Sequence, residues 1–125
     1  MPVETRMDVA GDITEHVMTG RTSDEEFFSA EEEFYREGPT TLQLWDLTGC
    51  DLSDITMSGL RSFVARAARL GQARPPGGKT AIVVASDLQF GLARVSEAFG
   101  DLVSLPFDLR TFKARAEALA WLHGE

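Results

Sequence analysis

The chain contains one cysteine, Cys50, so no internal disulfide can staple it. One thiol and two distant histidines, His16 and His123, do not supply the four ligands of a structural zinc site. Cations are scarce as well: 12 Lys and Arg stand against 20 Asp and Glu, a formal net charge of −8. That is the wrong sign for a domain that holds nucleic acid through its overall field. No apolar run approaches the ~18 residues that a membrane-spanning helix needs. The start, Met1-Pro2-Val3-Glu4-Thr5-Arg6, lacks a basic stretch followed by an apolar one, so a cytoplasmic protein is expected. Internal repeats and low-complexity segments are also missing.

What is present fits one folded domain spanning residues 1–125. The 125 residues are 43% hydrophobic and 26% charged, close to the averages of folded proteins and enough for a single core. Charge is uneven along the chain. Residues 1–38 hold 11 acids and 3 bases, residues 39–60 hold 3 acids and no base, and residues 61–125 hold 6 acids and 9 bases. Two solvated helix faces of opposite sign are the favoured reading, ahead of a dipole that docks a partner.

Hydropathy patterning gives the elements. Val3 to Val9 and Ile13 to Thr19, around Ala10-Gly11-Asp12, predict a β-hairpin. Ser23-Asp24-Glu25-Glu26 reads as a capping box in which Ser23 accepts from the Glu26 amide. The helix it opens is expected to bury Phe27, Ala30 and Phe34, to leave Glu31, Glu32, Glu33 and Glu37 in water, and to end at Gly38-Pro39. Thr40 to Leu47 reads as an inner strand closed by Thr48-Gly49, with Asp46 near its carboxyl end. Leu60, Phe63, Val64, Ala67 and Ala68 mark a second helix, and residues 71–78 a loop. Thr80 to Ala85 is a continuous apolar run, as in a strand covered on both faces. Ser86 or Asp87 caps a third helix whose predicted buried stripe is Leu88, Leu92, Val95, Phe99 and Leu102. Phe107 to Phe112 is a last strand, and Ala114 to Leu122 a last helix with Ala118, Leu119 and Leu122 inward. The order ββαβαβαβα predicts an α/β domain: a mixed, mostly parallel sheet of about five strands with about four helices packed on it and the hairpin at its edge.

In an open α/β sheet the loops leaving the carboxyl ends of the strands line the natural crevice. Here those loops are 46–58 and 86–90. They offer Asp46, Thr48, Cys50, Asp51, Ser53, Asp54, Thr56 and Ser58 from the first, and Ser86, Asp87 and Gln89 from the second. Ser53, Thr56 and Ser58 lie at or just before a helix amino terminus, where free amides and the helix dipole stabilise a phosphate, but hydroxyls there are also the commonest caps. Asp46 and Asp87 offer an acid and a base, or with Asp51 a cation site, although acids at strand ends more often cap helices. Cys50 has no base near it in sequence and reads as a free thiol. Gly77-Gly78-Lys79-Thr80 resembles the tail of a phosphate loop, yet Ala73 stands where that loop needs glycine, and the segment enters a strand rather than a helix. Tyr35, Phe28 and Met57 fit either the core or an exposed contact surface.

The stretch Leu42 to Leu60, a strand with Asp46, a short loop, then Ser58-Gly59-Leu60 opening a helix, resembles the STAS domain of anti-anti-sigma factors. Lys79-Thr80-Ala81-Ile82-Val83-Val84, Phe90-Gly91-Leu92-Ala93-Arg94 and Glu117-Ala118-Leu119-Ala120-Trp121-Leu122 are similar to signatures of small bacterial STAS-like proteins, so the resemblance spans nearly the whole chain. It implies a non-enzymatic module that binds a partner protein, switched in the true anti-anti-sigma factors by phosphorylation of a serine at the helix start. Their motif reads Asp-Ser-Ser-Gly-Leu; this chain reads Thr56-Met57-Ser58-Gly59-Leu60, with Met57 at the phosphosite and Thr56, Ser58 and Ser53 as the hydroxyls nearby.

The expected function is therefore a regulatory or protein-interaction module without cofactor or metal, acting through the 46–58 loop and the helix after it. Asp46, Ser53, Thr56, Ser58, Ser86 and Asp87 are its candidate phosphorylation or partner-binding residues. The alternative is a carrier of a small apolar ligand or lipid between helices. It is implied by a likeness to CRAL-TRIO folds and by the phenylalanines Phe27, Phe28, Phe34, Phe63, Phe90 and Phe99. Such a carrier needs a pocket of ~300 Å³ or more, a heavy demand on a domain this small. An enzyme built on Asp46 and Asp87 is a third reading. Aromatic content in a small acidic domain also points to a homodimer that hides one apolar helical face.

Overall fold

A computed structural model describes residues 3–8 and 11–124 of the chain. The hairpin pairs β1 (Val3–Asp8) antiparallel with β2 (Ile13–Arg21). Val9 and Ala10, expected in its first strand and its turn, lie outside the described residues. Then follow α1 (Asp24–Arg36), β3 (Leu42–Asp51), α2 (Met57–Leu70), a 3-10 turn at Gly71–Ala73, β4 (Lys79–Val83), α3 (Asp87–Val103), β5 (Asp108–Phe112) and α4 (Arg115–Leu122). The expected ββαβαβαβα order is found.

The five strands lie side by side in the order β1-β2-β3-β4-β5, with β2 through β5 mutually parallel. The chain thus steps in one direction across the sheet and never doubles back. Right-handed crossovers then place α1, α2 and α3 on the same face. Alternation along the strands agrees. Met18, Trp45 and Ile82 point into a core with Ala30, Leu52 and Ala93 under these three helices, and Phe27, Phe63 and Phe90 pack against it. Leu44, Ala81 and Val83 point to the opposite face and are covered by Ala118 and Leu122 of α4. β4 is accordingly buried along its length, as its unbroken apolar run predicts.

A sheet wound in one direction has no point where the strand order reverses, so the crevice expected between the loops 46–58 and 86–90 has no topological origin. The first of these is not a loop over half its length. β3 continues to Asp51, four residues past the expected stop, because β2 also runs on and pairs Thr19, Gly20 and Arg21 with Gly49, Cys50 and Asp51 after a register shift at Met18. Gly49 suits this pairing: a β-carbon there would stand 3.2 Å from the Thr19 methyl. Asp46 is therefore a mid-strand residue, paired in register with Val17 and Val83.

Other expectations need correction. Ser23 is the N-cap of α1, but its hydroxyl bonds the Glu26 carboxylate at 3.3 Å and not the Glu26 amide, which bonds the Ser23 carbonyl. Glu31, expected in water, is buried on the sheet side of α1 beside Ala30 and Phe34. In α3 the buried stripe is Gln89, Ala93, Ser96 and Gly100, one position on from the expected one, and Leu88 and Leu102 face solvent. Small side chains let α3 lie close to its neighbours, so the helix turns its narrow face inward. Gly100 illustrates the closeness, since a β-carbon there would meet Leu105 at 2.6 Å. Among the described residues no helix is long and apolar enough to cross a membrane.

Candidate functional site

The first turns of α2 and α3 lie at the carboxyl end of the parallel strands, and most of the candidate residues gather there. Thr56 is the N-cap of α2, and its hydroxyl accepts from the Gly59 amide at 2.9 Å. The same hydroxyl donates to Asp24 Oδ2 at 2.8 Å, and the Thr56 amide donates to Asp24 Oδ1 at 3.3 Å. An acid from the first turn of α1 thus stands over the amino terminus of α2, where a negative charge meets free amides and the positive end of the helix dipole. Ser58 lies 3.4 Å from the Thr56 hydroxyl. Met57 occupies the first helical position and is 49% exposed.

Ser53 belongs to the turn before the helix, and both its amide and its hydroxyl donate to Asp51. These bonds, with Arg21 nearby, hold the Asp51 carboxyl below its ordinary pKa. Asp54 takes two bonds from Arg21, at 2.6 and 2.9 Å, which ties the turn to the end of β2 and lowers its pKa too.

Ser86 forms a complete capping box with Gln89. Its hydroxyl accepts from the Gln89 amide at 3.1 Å, while Gln89 Oε1 accepts from the amides of Ser86 and Ala85 at 3.2 and 2.7 Å. Gln89 Nε2 then donates to the Cys50 carbonyl at 2.9 Å, joining the start of α3 to the end of β3. Asp87 is exposed in the first turn, where its charge suits the helix dipole.

Asp46 stands apart. Its position in the strand alternation places it on the α4 face, and its Oδ1 accepts from the amide and hydroxyl of Thr48 at 3.1 and 2.7 Å. Asp87 opens α3 on the other face, so the structure does not bring the two acids together as a pair. Cys50 is buried, donates from Sγ to the Leu47 carbonyl at 3.1 Å, and is pushed up to about 11 by burial. A thiol held protonated this firmly is a poor nucleophile.

Sequence reasoning missed one member of this region and named a second without its role. Asp24 was legible only as part of an expected cap for its own helix, and nothing local signals that it braces another one. Gln89 carried a signal: Ser86-Asp87-Leu88-Gln89 has the spacing of a capping box.

Under α1, α2 and α3 lies a cavity of about 90 Å³, walled by Phe27, Trp45, Phe63 and Ile82 and bordered by the buried polar residues Glu31, Gln43 and Thr80. A connected set of polar groups runs past it. His16 bonds Thr5 at 3.2 Å and Gln43 at 3.0 Å and stacks on Trp45. Thr80 donates to Gln43 at 3.0 Å, and Arg74 donates to Thr80 at 2.7 Å and to the carbonyls of Thr41 and Lys79. Arg74 is sandwiched between the Phe107 and Phe34 rings, 4.3 and 5.5 Å from their centres. Burial pushes His16 down to about 4 and Glu31 up to about 8, the latter resisted by the charges of Arg74 and Arg66.

This arrangement is an α/β fold with a five-stranded mixed sheet, three helices on one face and one on the other. The fold is similar to that of an uncharacterized protein of the DUF3478 family from Shewanella loihica PV-4, described as having a SpoIIAA-like fold. It superimposes with a TM-score of 0.61 over 96% of this chain and 91% of that one, at 17% identity. At that identity the likeness concerns the fold. No family model and no curated protein matches the chain.

Proposed function

We propose that the chain is a non-enzymatic protein-interaction module that docks a partner on the surface formed by the first turns of α2 and α3. One observation carries the reading: Met57 and Leu88, 49% and 53% exposed, sit in the opening turns of two adjacent helices. Neither side chain has a structural reason to be large and apolar there. Asp87 is exposed next to Leu88, while Asp54 is already paired with Arg21, so the surface suits a partner with an apolar anchor and a basic group facing Asp87. The STAS-like resemblance supports the same end of the fold as a contact region.

The hydroxyls there are structural in this reading. Thr56 spends both its acceptor and its donor capacity on the cap, and the carboxylate of Asp24 already holds the position where a phosphate would gain most from the helix terminus. Docking is therefore constitutive, without a phosphate switch at Thr56 or Ser58. Tagged wild type and a Met57→Glu, Leu88→Glu double variant are compared by cross-linking in native cells. A cross-linked band that is lost in a normally folded double variant is the expected result; a band unaffected by both charges refutes the surface. The same lysates, read by intact mass, report any phosphate on Ser53, Thr56 or Ser58.

A lipid carrier has less support, because the apolar cavity of about 90 Å³ is well under the ~300 Å³ that such ligands occupy, and the larger hollow of about 450 Å³ beside Glu97, Asp101, Asp108 and Arg110 is polar.

A further inference from the structure

The cavity under the three helices has a feature that ordinary packing does not explain. Its walls are apolar, yet Glu31 borders it, is 4% exposed, and leaves its carboxyl Oε2 without a hydrogen-bond partner. Two further orphans are near, the Tyr35 hydroxyl and Arg74 Nε, each within electrostatic reach of Glu31. Arg74, 7% exposed, leaves its Nε unpaired although its other nitrogens are bonded. Buried polar atoms of native proteins are nearly always partnered, and an orphan at the edge of an apolar space marks where a ligand's polar atom belongs.

We infer that this cavity binds a small, uncharged alcohol whose hydrocarbon part lies against Phe63, Ile82 and Ala93 and whose hydroxyl pairs with Glu31 Oε2. A hydroxyl suits the site because it both donates and accepts, so it satisfies the carboxyl whether protonated or ionised. An anionic head would meet the like charge of an ionised Glu31, and a cationic one would have to be desolvated against otherwise apolar walls. Size follows from volume. An apolar cavity of about 150 Å³ holds the six heavy atoms of benzene, so one of about 90 Å³ takes a molecule of roughly three or four. This site lies beneath the helices and is independent of the Met57 and Leu88 surface.

The test is a propan-2-ol titration of the full chain, followed by amide and methyl NMR shifts, with xenon as a purely apolar probe of the same space. Saturating shifts at Phe63, Ile82 and Ala93 with both probes are expected. Glu31→Leu should weaken propan-2-ol about tenfold, the loss of one hydrogen bond to a carboxyl group, and leave xenon binding in place. Glu31→Gln keeps a donor and an acceptor and should retain propan-2-ol. Ala93→Leu fills the space and should block both probes; should Glu31→Leu not fold, this variant and Glu31→Gln decide the question. Propan-2-ol shifts that fail to saturate, that survive Ala93→Leu, or that ignore the loss of the Glu31 carboxyl overturn the inference.

Discussion

Asp24 in the first turn of α1 accepts two hydrogen bonds from Thr56, from its amide at 3.3 Å and its hydroxyl at 2.8 Å, although the residues are 32 positions apart. The contact fixes how α1 sits on the start of α2. It also sets the chemistry of that helix terminus, since the amides that would welcome a phosphate already face a carboxylate.

Removing the cap should therefore be felt in stability. Thr56→Ala loses an N-cap and leaves Asp24 without its main partner, a cost of about 1 to 2 kcal/mol in urea unfolding. Thr56→Ser keeps the hydroxyl and should lie close to wild type. Thr56→Glu, as a stand-in for phosphate, should be no better than alanine, because it brings a second carboxylate against Asp24.

Gly59 tests the same contact from the other side. Alanine in a helix normally gains about 1 kcal/mol over glycine, but a β-carbon on Gly59 would stand 2.2 Å from Asp24 Oδ2. Asp24 must swing away and give up Thr56, so Gly59→Ala should bring no stabilisation in the wild type and a clear one in an Asp24→Ala background. A double-mutant cycle in urea reads this non-additivity directly.

These contacts show where the sequence was readable and where it was not. Element order and sheet type were legible because the apolar runs of β3 and β4 and the caps of the helices are local signals. The end of β3 was not, since Cys50 and Asp51 join the strand only through pairing with Gly20 and Arg21, a partner far along the chain. Burial of Glu31 was hidden for a similar reason: it lies on a helix among Glu32 and Glu33, and only Arg74 and Arg66, both distant along the chain, give it counter-charges. In α3 the large apolar residues placed the buried face one position off, with Leu92 packed at its edge, because the closest packing there is made by Ala93, Ser96 and Gly100. Of the candidate site, Thr56 and Ser86 were legible as caps, whereas the exposure of Met57 and Leu88 needed the tertiary structure.

The two buried titrating groups predict opposite pH dependences. Glu31 rises from 4.5 unfolded to about 8 folded, so it contributes stability below pH 4.5 that is lost as pH climbs toward 8. His16 falls from 6.5 to about 4, so its contribution is present above pH 6.5 and is lost as pH drops toward 4. Between 4.5 and 6.5 they offset each other. From pH 6.5 to 8 only Glu31 acts, and the wild type should lose about 2 kcal/mol in urea unfolding. Glu31→Gln should be flat across that window; an equal loss in the variant would assign the dependence to another group.

Cys50 should be silent toward thiol reagents in the native state. Its pKa of about 11 and its burial leave almost no reactive thiolate at neutral pH. Ellman's reagent should label it at the rate of unfolding, faster in urea and faster in Thr56→Ala. Rapid labelling of the folded chain would contradict the burial.

Gln89 should prove the most sensitive position of the α3 start. Its side chain is 5% exposed and serves three backbone groups, accepting from Ala85 and Ser86 and donating to the Cys50 carbonyl. Gln89→Ala leaves all three without this partner in a site with little water, at a cost of about 2 to 3 kcal/mol. Ser86→Ala removes a single cap bond and should cost about 1 kcal/mol. Glutamate separates the two halves of the role. It keeps the acceptor for the amides but, once ionised, turns an oxygen instead of a donor toward the Cys50 carbonyl. Gln89→Glu should therefore come near wild type at acid pH, where the carboxyl is protonated and donates, and fall toward the alanine variant as pH rises. If Gln89→Glu matched wild type at every pH, the bridge to Cys50 would carry no weight, and the stability of α3 would rest on its amide caps alone.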